Sequence, residues 1–282
     1  MLDISTKIDP FTSEVLTLVA KITNTLNIDF FVIGATARDI IFDLIYGIKI
    51  QRGTNDIDFS VRVKNWEDFS RLTDALKENN FTPSKIVHRF TYKSIPGIDI
   101  IPFGEISLDS ASIKWPDKDA KEMNVIGFEE CFQDSELVRI QSNPPLDIKI
   151  ASTRGLALMK LISWKDGYPS RSRDALDILY IIKNYIEAGN IDRLKSVHSD
   201  LLDDQFDFEL SGSILLGRDI AGLANHSTLE TLNGILNEEI KSGENSKLIS
   251  DMIIGTGFLS KSDDLKKHLL KLIKNLFIGL QA

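Results

Sequence analysis

An acidic pair inside an otherwise apolar run is the feature that most constrains this chain. Asp56 and Asp58 alternate with Ile57 and Phe59, an order typical of a strand with one polar face. Because side chains at i and i+2 of a strand project from the same face, both carboxylates point at one spot. Carboxylates placed in this way repel one another unless a cation lies between them, and oxygen ligands favour magnesium or manganese over zinc. The pattern therefore predicts a strand that carries a divalent metal site.

A third acid, Asp99, lies in a second apolar segment, Ile98–Gly104, and has no cationic neighbour in the sequence. If the two segments pair as adjacent strands, the carboxylates of Asp56, Asp58 and Asp99 converge. Three carboxylates suffice to bind two metal ions about 3.5–4 Å apart, the arrangement used for in-line phosphoryl transfer. In that arrangement Asp99 contacts only the metal nearer the acceptor hydroxyl and is the candidate to take its proton.

A glycine turn lies upstream of the acidic pair. Gly34 joins a predicted strand, Asp29–Ile33, to a predicted helix that opens at Ala35. Backbone N–H groups at the start of a helix bind phosphate oxygens, so this turn is a candidate nucleotide site. Because Ala35 has no hydroxyl to offer a triphosphate, we expect the contacts to come from the backbone amides and from the guanidinium of Arg38.

Five segments together resemble the AbiEii/MenT-like nucleotidyltransferases, a group related to DNA polymerase beta. They are the runs at 34–39, 55–59, 99–104, 127–130 and 158–166, and the likeness extends from about residue 28 to residue 187. The superfamily pattern is Gly-Gly or Gly-Ser, then Asp-x-Asp, then a distant Asp, and here Ala35 replaces the second small residue. The resemblance implies a metal-dependent enzyme that moves a nucleoside monophosphate from a nucleoside triphosphate to a hydroxyl acceptor, with Mg²⁺ or Mn²⁺ as cofactor.

The resemblance also implies a role for a lysine and two acids further along the chain. Lys160 and the later residues Arg173, Asp174 and Asp177 match, by order and approximate spacing, residues that complete the active site of this family. Lys160 is then a catalytic residue that binds the β- and γ-phosphates, and the two acids, which share a helix face, help to bind the nucleotide. The residues alone leave a second interpretation open, in which Arg173 and Asp177 form an ordinary helix ion pair and Asp174 is solvated.

The alternation of strands and helices up to Ile150 predicts an α/β (α+β) fold with a mixed sheet, and the pattern becomes helical from Thr153. We expect a nucleotidyltransferase catalytic domain over residues 1–150 and a mostly helical domain over 151–282 that completes the active site. Strands are expected at about 29–33, 57–63, 86–92, 98–102, 125–128, 137–140 and 148–150, and helices at about 12–26, 35–47, 66–78, 153–164 and 171–188.

The charge of the chain limits its partners. A net charge of -8 and a pI of about 5.1 argue against non-specific binding of nucleic acid over the whole surface. Residues 149–173, however, carry six basic side chains against one acid. This stretch is either a basic cleft on an acidic body or an ordinary solvated face. The apolar runs are too short to span a membrane, so we expect a cytoplasmic protein that does not bind membranes.

The acceptor of the transferred nucleotide stays open at this level. By resemblance, it is the 3′ end of transfer RNA, and the protein is the toxin of a toxin–antitoxin pair with a cognate antitoxin protein as partner. An aminoglycoside-like small molecule or a protein hydroxyl fits the same chemistry. A protein of another class, a catalytically silent module that only binds nucleotide, also fits these residues.

Overall fold

The computed structural model describes residues 2–50, 53–54, 56–93, 95–109, 111–116, 122–202, 206–255 and 263–282. The chain divides into two compact units, Met1–Ser152 and Thr153–Ala282. The first unit is built on a sheet and the second is helical. The predicted α/β fold with a mixed sheet and a helical continuation is thereby confirmed.

The strands of the first unit are β1 (Leu2–Asp3), β2 (Asp29–Val32), β3 (Ile57–Arg62), β4 (Thr82–Pro83), β5 (Arg89–Tyr92), β6 (Ile95–Phe103), β7 (Ser112–Ile113), β8 (Met123–Asn124), β9 (Glu136–Ser142) and β10 (Pro145–Ile150). Its helices are α1 (Pro10–Leu26), α2 (Gly34–Asp39), a π-helical turn at Ile40–Ile45, α3 (Trp66–Glu78) and α4 (Phe128–Gln133).

Eight of the strands in the described residues form one sheet in the order β1-β9-β10-β2-β3-β6-β5-β4. The pairs β1/β9, β10/β2 and β3/β6 are parallel and the other neighbouring pairs are antiparallel. Strand β3 lies near the middle of the sheet, and its apolar side chains alternate with polar ones. Ile57, Phe59 and Val61 are fully or almost fully buried. The intervening Asp58 is only half-buried, because it points to the other face of the sheet.

Local signals fix the helices that flank this sheet. The Asp9 carboxylate accepts a hydrogen bond from the Thr12 amide at 2.9 Å and so caps α1, which begins at Pro10. The Asn65 side chain caps α3 in the same way through the Asp68 amide. Because these signals are local, both helices were predictable to within two residues at each end.

Three predicted elements of the first unit are wrong in extent or type. The expected strand at 125–128 is a turn that leads into α4, because Gly127 adopts a left-handed φ of 84° and becomes the residue before the helix. The expected strand at 86–92 begins only at Arg89, whose amide closes a turn onto the Ile86 carbonyl. The expected helix at 35–47 changes at Ile40 to a π-helical turn, in which the Tyr46 amide reaches back to the Ile41 carbonyl.

The second unit consists of α5 (Thr153–Asp166), α6 (Arg173–Asn184), α7 (Ile191–Ser196), a 3₁₀ turn at Ser199–Leu201, α8 (Phe208–Leu223), α9 (His226–Ser242), a 3₁₀ turn at Gly243–Asn245, α10 (Lys247–Gly255) and α11 (Asp263–Leu280). The expected helix at 171–188 is therefore shorter, with both ends drawn in.

Two glycines allow α8 and α11 to pack backbone against backbone. A Cβ atom on Gly217 would lie 2.2 Å from the Leu276 carbonyl oxygen, and one on Gly279 would lie 2.1 Å from the Ile214 carbonyl oxygen. The Ser213 hydroxyl donates across the same contact to the Leu272 carbonyl at 2.6 Å. No side chain larger than hydrogen fits at either glycine, so α8 and α11 can approach this closely only with glycine at both positions. Within the described residues, none of the helices combines the length and apolarity needed to cross a bilayer.

Candidate active site

The two acidic segments lie side by side in the sheet. Strands β3 and β6 are parallel, and their register pairs Ile57 with Ile98 and Asp58 with Asp99. Both isoleucines are buried on the opposite face. Asp58 and Asp99 are therefore nearest neighbours across two strands and project from the same face.

Asp56 joins this face through a close approach to β6. A Cβ atom built on Gly97 would lie 2.2 Å from Asp56 Oδ1. Gly97 is two residues before Asp99 on the strand, just as Asp56 is two residues before Asp58. A side chain at position 97 would displace the Asp56 carboxylate from its present position. We did not predict this residue, although its position on the Asp99 face follows from the two-residue period of a strand.

Gly34 makes room for the second carboxylate. Its φ is 65°, in the left-handed region that favours glycine, and a Cβ atom there would lie 2.3 Å from Asp58 Oδ2. The predicted glycine turn and the predicted acidic pair therefore meet. The Thr36 hydroxyl strengthens this contact, since it donates to the Asp56 carbonyl at 3.0 Å and accepts from the Asp58 amide at 3.3 Å.

Gly34 and Ala35 form the first turn of α2 and are half-buried beside Asp58. Arg38, four residues further on, is 5% exposed, and its Nε and Nη2 both donate to Asp39 Oδ1, at 2.8 and 2.6 Å. The charge of this guanidinium is thus largely balanced inside the protein. Binding of phosphate by Arg38 stays a prediction, and it requires the contact with Asp39 to open.

Asp99 has a cationic partner that its sequence neighbours do not reveal. Arg89, directly opposite on the antiparallel strand β5, donates from Nε to Asp99 Oδ1 and from Nη2 to Asp99 Oδ2, both at 2.7 Å. Its Nη2 is also 3.8 Å from Asp56 Oδ2. The sequence around Arg89 gives no sign of this pairing. The missed signal is the hairpin formed by β5 and β6, whose register places position 89 opposite position 99.

The hydrogen bonds from Arg89 to Asp99 raise the pKa of the guanidinium, and the charges of Asp99, Asp56 and Asp58 raise it further against the opposing effect of partial burial. All three carboxylates therefore act on one cation. Arg89 is the counter-charge of the acidic face as it stands in this structure.

The donor set suits a hard divalent cation, with one condition. Asp56, Asp58 and Asp99 offer only carboxylate oxygens, and Gly34 and Gly97 leave space around them. Among the described residues, however, no three carboxylate, imidazole or thiolate groups are arranged around a common point as metal ligands. The three acids occupy neighbouring strand positions, as predicted. They do not surround a common point, because both oxygens of Asp99 are bonded to Arg89.

A cavity of about 550 Å³ lies beside Asp56 in the first unit. The start of α1 and the π-helical turn line it together with Thr36. Its charged lining consists of Asp9, Asp39, Asp43 and Asp56 against Lys7. The volume is in the usual range for a small-molecule site, and the excess of carboxylates favours hydroxyl-rich or cationic ligands.

In the second unit, Lys160 is enclosed by acids. Its Nζ lies 2.7 Å from Asp174 Oδ1 and 2.8 Å from Asp177 Oδ2, and Arg171 Nε lies 2.6 Å from Asp174 Oδ2. Burial lowers the pKa of Lys160, but the charges of the two aspartates outweigh it and leave the pKa above its ordinary value. The interpretation of Asp174 as a solvated acid is wrong, because it is 4% exposed.

Several bases of the stretch at 149–173 are already engaged by other side chains. Lys160 and Arg171 contact Asp174, and Lys165 Nζ lies 2.6 Å from Glu238 Oε2. Lys149 covers the ring of Phe132 at 3.9 Å. Four of its six bases are thus already in contact with an acid or a ring, and the stretch is not a continuous free cationic surface.

Three solved structures that are similar to this chain share little sequence identity with it. The antibiotic-resistance factor ANT(2″)-Ia is 10% identical, with 69% of this chain and 97% of that chain covered and a TM-score of 0.36. An antigenic nucleotidyltransferase-like protein from Paracoccidioides brasiliensis is 18% identical, with 67% and 89% covered and a TM-score of 0.38. The Thermotoga maritima CCA-adding enzyme complexed with tRNA is 15% identical, with 98% and 82% covered and a TM-score of 0.28. These TM-scores are too low to support conclusions about the site.

No curated protein matches the chain at a significant level. A family model does match: it is described as nucleotidyl transferase AbiEii toxin, type IV toxin–antitoxin system, and it covers residues 17–252. The match includes the glycine turn, all three acids of the sheet and the Lys160 cluster, and it confirms the resemblance seen in the motifs. Since it spans most of the chain, this protein belongs to the AbiEii family of nucleotidyltransferases.

Proposed function

We propose that the protein transfers a nucleoside monophosphate from a nucleoside triphosphate to a hydroxyl acceptor with the help of Mg²⁺ or Mn²⁺. The observation that carries the proposal is the shared face of β3 and β6. There Asp58 and Asp99 are register partners, and Asp56 and Asp58 fit against Gly97 and Gly34. On both strands the acids alternate with buried isoleucines, so the carboxylates stand together on the face of the sheet away from that apolar layer.

In the proposed reaction, an acceptor oxygen forms a bond to the α-phosphorus while the bond from that phosphorus to the bridging oxygen breaks. Pyrophosphate leaves with the electron pair, and the hydroxyl proton passes to the Asp99 carboxylate. Asp56 and Asp58 would hold the divalent cation, which supplies positive charge that acidifies the hydroxyl and neutralises the phosphates. The backbone amides of Gly34 and Ala35 are the proposed donors to the triphosphate.

Lys160, Asp174 and Asp177 are proposed as nucleotide-binding residues on the order of their motif. The cluster keeps Lys160 protonated, since its pKa is raised. A protonated lysine supplies the charge that phosphate oxygens require. Arg38 is a further candidate to bind phosphate, because its guanidinium also carries a positive charge.

For the acceptor, we propose the 3′ end of transfer RNA and a toxin role restrained by a cognate antitoxin protein. Support comes from the family description, which places these enzymes in toxin–antitoxin systems. The second candidate is a small amine-bearing alcohol. The acidic cavity beside Asp56 favours it, because the lining carboxylates outnumber the one lysine even though Asp39 is paired with Arg38, and such an excess attracts cations and repels RNA phosphates.

The test is incubation of the protein with each of the four α-³²P nucleoside triphosphates and Mg²⁺ or Mn²⁺. Total transfer RNA, a panel of amino alcohols, or the protein alone is supplied as acceptor. Labelled RNA supports the toxin role, and labelled alcohol supports the second candidate. Label on the protein itself would redirect the proposal to a protein hydroxyl.

An Asp58→Asn variant should transfer no label to any acceptor. The matched control is Asp74→Asn, which removes an acid that is 61% exposed on α3 and should transfer label as the wild type does. Retention of nucleotide binding without transfer in every mixture would contradict the proposal and favour a silent nucleotide-binding module.

A further inference from the structure

Arg89 contacts two of the three acids that form the candidate metal site, Asp99 directly and Asp56 at longer range. It uses two nitrogens to bond both oxygens of Asp99 and places the second of those nitrogens 3.8 Å from Asp56. Bidentate pairing with a carboxylate is the strongest geometry available to arginine. Both oxygens of Asp99 are therefore directed at the guanidinium in this structure.

The same oxygens are those that Asp99 would offer to a divalent cation. A carboxylate that accepts two hydrogen bonds from one guanidinium has its preferred lone pairs occupied. A cation that binds Asp56, Asp58 and Asp99 together must also enter a space in which the positive charge of Arg89 already offsets part of the negative charge of those three acids. Guanidinium and divalent cation thus exclude one another, by geometry at Asp99 and by charge at the whole face.

The two members of the pair differ in how easily they can move. Asp99 lies on β6 between two neighbouring strands, and its side chain is 16% exposed. Arg89 is 32% exposed and reaches the acid through a long flexible side chain. Arg89 can therefore swing into solvent without disturbing the sheet, whereas Asp99 stays in place for its proposed role.

We infer that Arg89 is a built-in competitor of the divalent cation: it pairs with Asp99 when no metal is bound and must release that carboxylate before the metal site is complete. This inference rests on the proposed metal-dependent function. Arg89 accordingly sets the metal affinity of the site, and it holds the Asp99 carboxylate in place until the metal binds. It keeps the enzyme from binding divalent cations tightly before the nucleotide triphosphate brings further negative charge.

The structure contains a matched control for this pair. Arg139 on β9 bonds both oxygens of Asp147 on β10 at 2.8 and 3.0 Å, across an antiparallel register and at 30% exposure. Asp3 is a second nearby acid, since its charge also raises the pKa of Arg139. The two arginines thus share geometry and exposure, but only Arg89 adjoins the Asp56–Asp58 face.

The experiment measures the dissociation constant of Mn²⁺ for the purified protein without nucleotide, by electron paramagnetic resonance of free Mn²⁺ and by calorimetry. Arg89→Gln should bind Mn²⁺ at least tenfold more tightly than the wild type, a gain of about 1.4 kcal/mol. Arg139→Gln should stay within twofold of the wild type. Mn²⁺ should also raise the melting temperature of Arg89→Gln more than that of the wild type, because binding to the folded state is tighter.

Further variants keep the inference open to refutation. In an Asp99→Asn background, Arg89→Gln should no longer improve Mn²⁺ binding by more than about threefold, because the contested ligand is gone. If Arg89→Gln does not fold, Arg89→Lys replaces it; a lysine bonds only one oxygen well, so the Mn²⁺ affinity should still exceed that of the wild type. Circular dichroism establishes that each variant is folded.

The outcomes separate the two levels of the account. Wild-type protein that binds Mn²⁺, with Arg89→Gln binding equally or more weakly, overturns the competition and leaves the proposed function intact. Absence of Mn²⁺ binding by the wild type and by Arg89→Gln overturns both the metal dependence and this inference.

Discussion

Replacing Gly34 by alanine should impair catalysis far more than folding. Ordinary contact to a Cβ atom begins at 3.4 Å, whereas the new Cβ would lie 2.3 Å from Asp58 Oδ2, so this carboxylate has to withdraw by about 1 Å. A misplacement of about 1 Å in a catalytic group reduces turnover by about a hundredfold. The alanine also adopts a left-handed φ, at a cost of about 1–2 kcal/mol that a stiffer unfolded chain partly offsets.

Gly47 provides the control for the cost of placing an alanine in the left-handed backbone conformation. Its φ of 69° is close to the 65° of Gly34, but a Cβ atom there has no neighbour within 4 Å. Gly47→Ala should therefore lose about as much stability as Gly34→Ala in urea unfolding and keep full nucleotidyl transfer. Turnover of Gly34→Ala within threefold of the wild type, or an equal loss of turnover in Gly47→Ala, would refute the argument that this glycine makes room for Asp58.

Three other predictions concern the helical unit. Gly217→Ala should lower the free energy of unfolding by about 3 kcal/mol or prevent folding, because the added methyl meets the Leu276 carbonyl, whereas Gly222→Ala, with open space around it, should be neutral or stabilising in the same urea titration. Lys160→Ala should cost about 3–5 kcal/mol of stability as well as nucleotide affinity, since it leaves Asp177 and Asp174 buried without their lysine; calorimetric unfolding measures the first effect and nucleotide titration the second. The free energy of unfolding, measured against pH, should fall at both extremes. The pKa of Asp174 is lowered from 3.8, so the stability that this group contributes is present above pH 3.8 and is lost as the pH falls below it. The pKa of Lys160 is raised from 10.5, so the stability that this group contributes is present below pH 10.5 and is lost at higher pH. A stability profile that is flat at both extremes would contradict the assignment of these groups as mutual partners.

Local patterns made part of this structure predictable. The acid-apolar alternation of β3 depends on the two-residue period of one strand, and the ends of α1 and α3 depend on side-chain caps within a few residues. Gly34 was predictable because a strand-to-helix turn with phosphate contacts needs a residue without a side chain. In each case the determining contacts lie close together in the sequence.

The contacts that the sequence did not reveal depend on register between distant strands. Arg89 meets Asp99 only because β5 and β6 pair with those two positions opposite each other, and a shift of one residue would move Arg89 to the other face of the sheet. Gly97 is recognisable as a space for Asp56 only once β3 and β6 are known to be parallel neighbours. The π-helical turn at Ile40–Ile45 differs from an ordinary helix only in its hydrogen bonds, which the apolar pattern leaves undetermined.

The most direct test of the account compares nucleotidyl-transfer rates of Asp58→Asn, Asp99→Asn and the double variant. If the register partners on β3 and β6 form one catalytic unit, each single variant should lose about a hundredfold or more in turnover. The double variant should then be little slower than the worse single variant, since residues that act together are not additive. A single variant with wild-type turnover, or losses that multiply fully in the double variant, would contradict the claim that these two carboxylates serve one site.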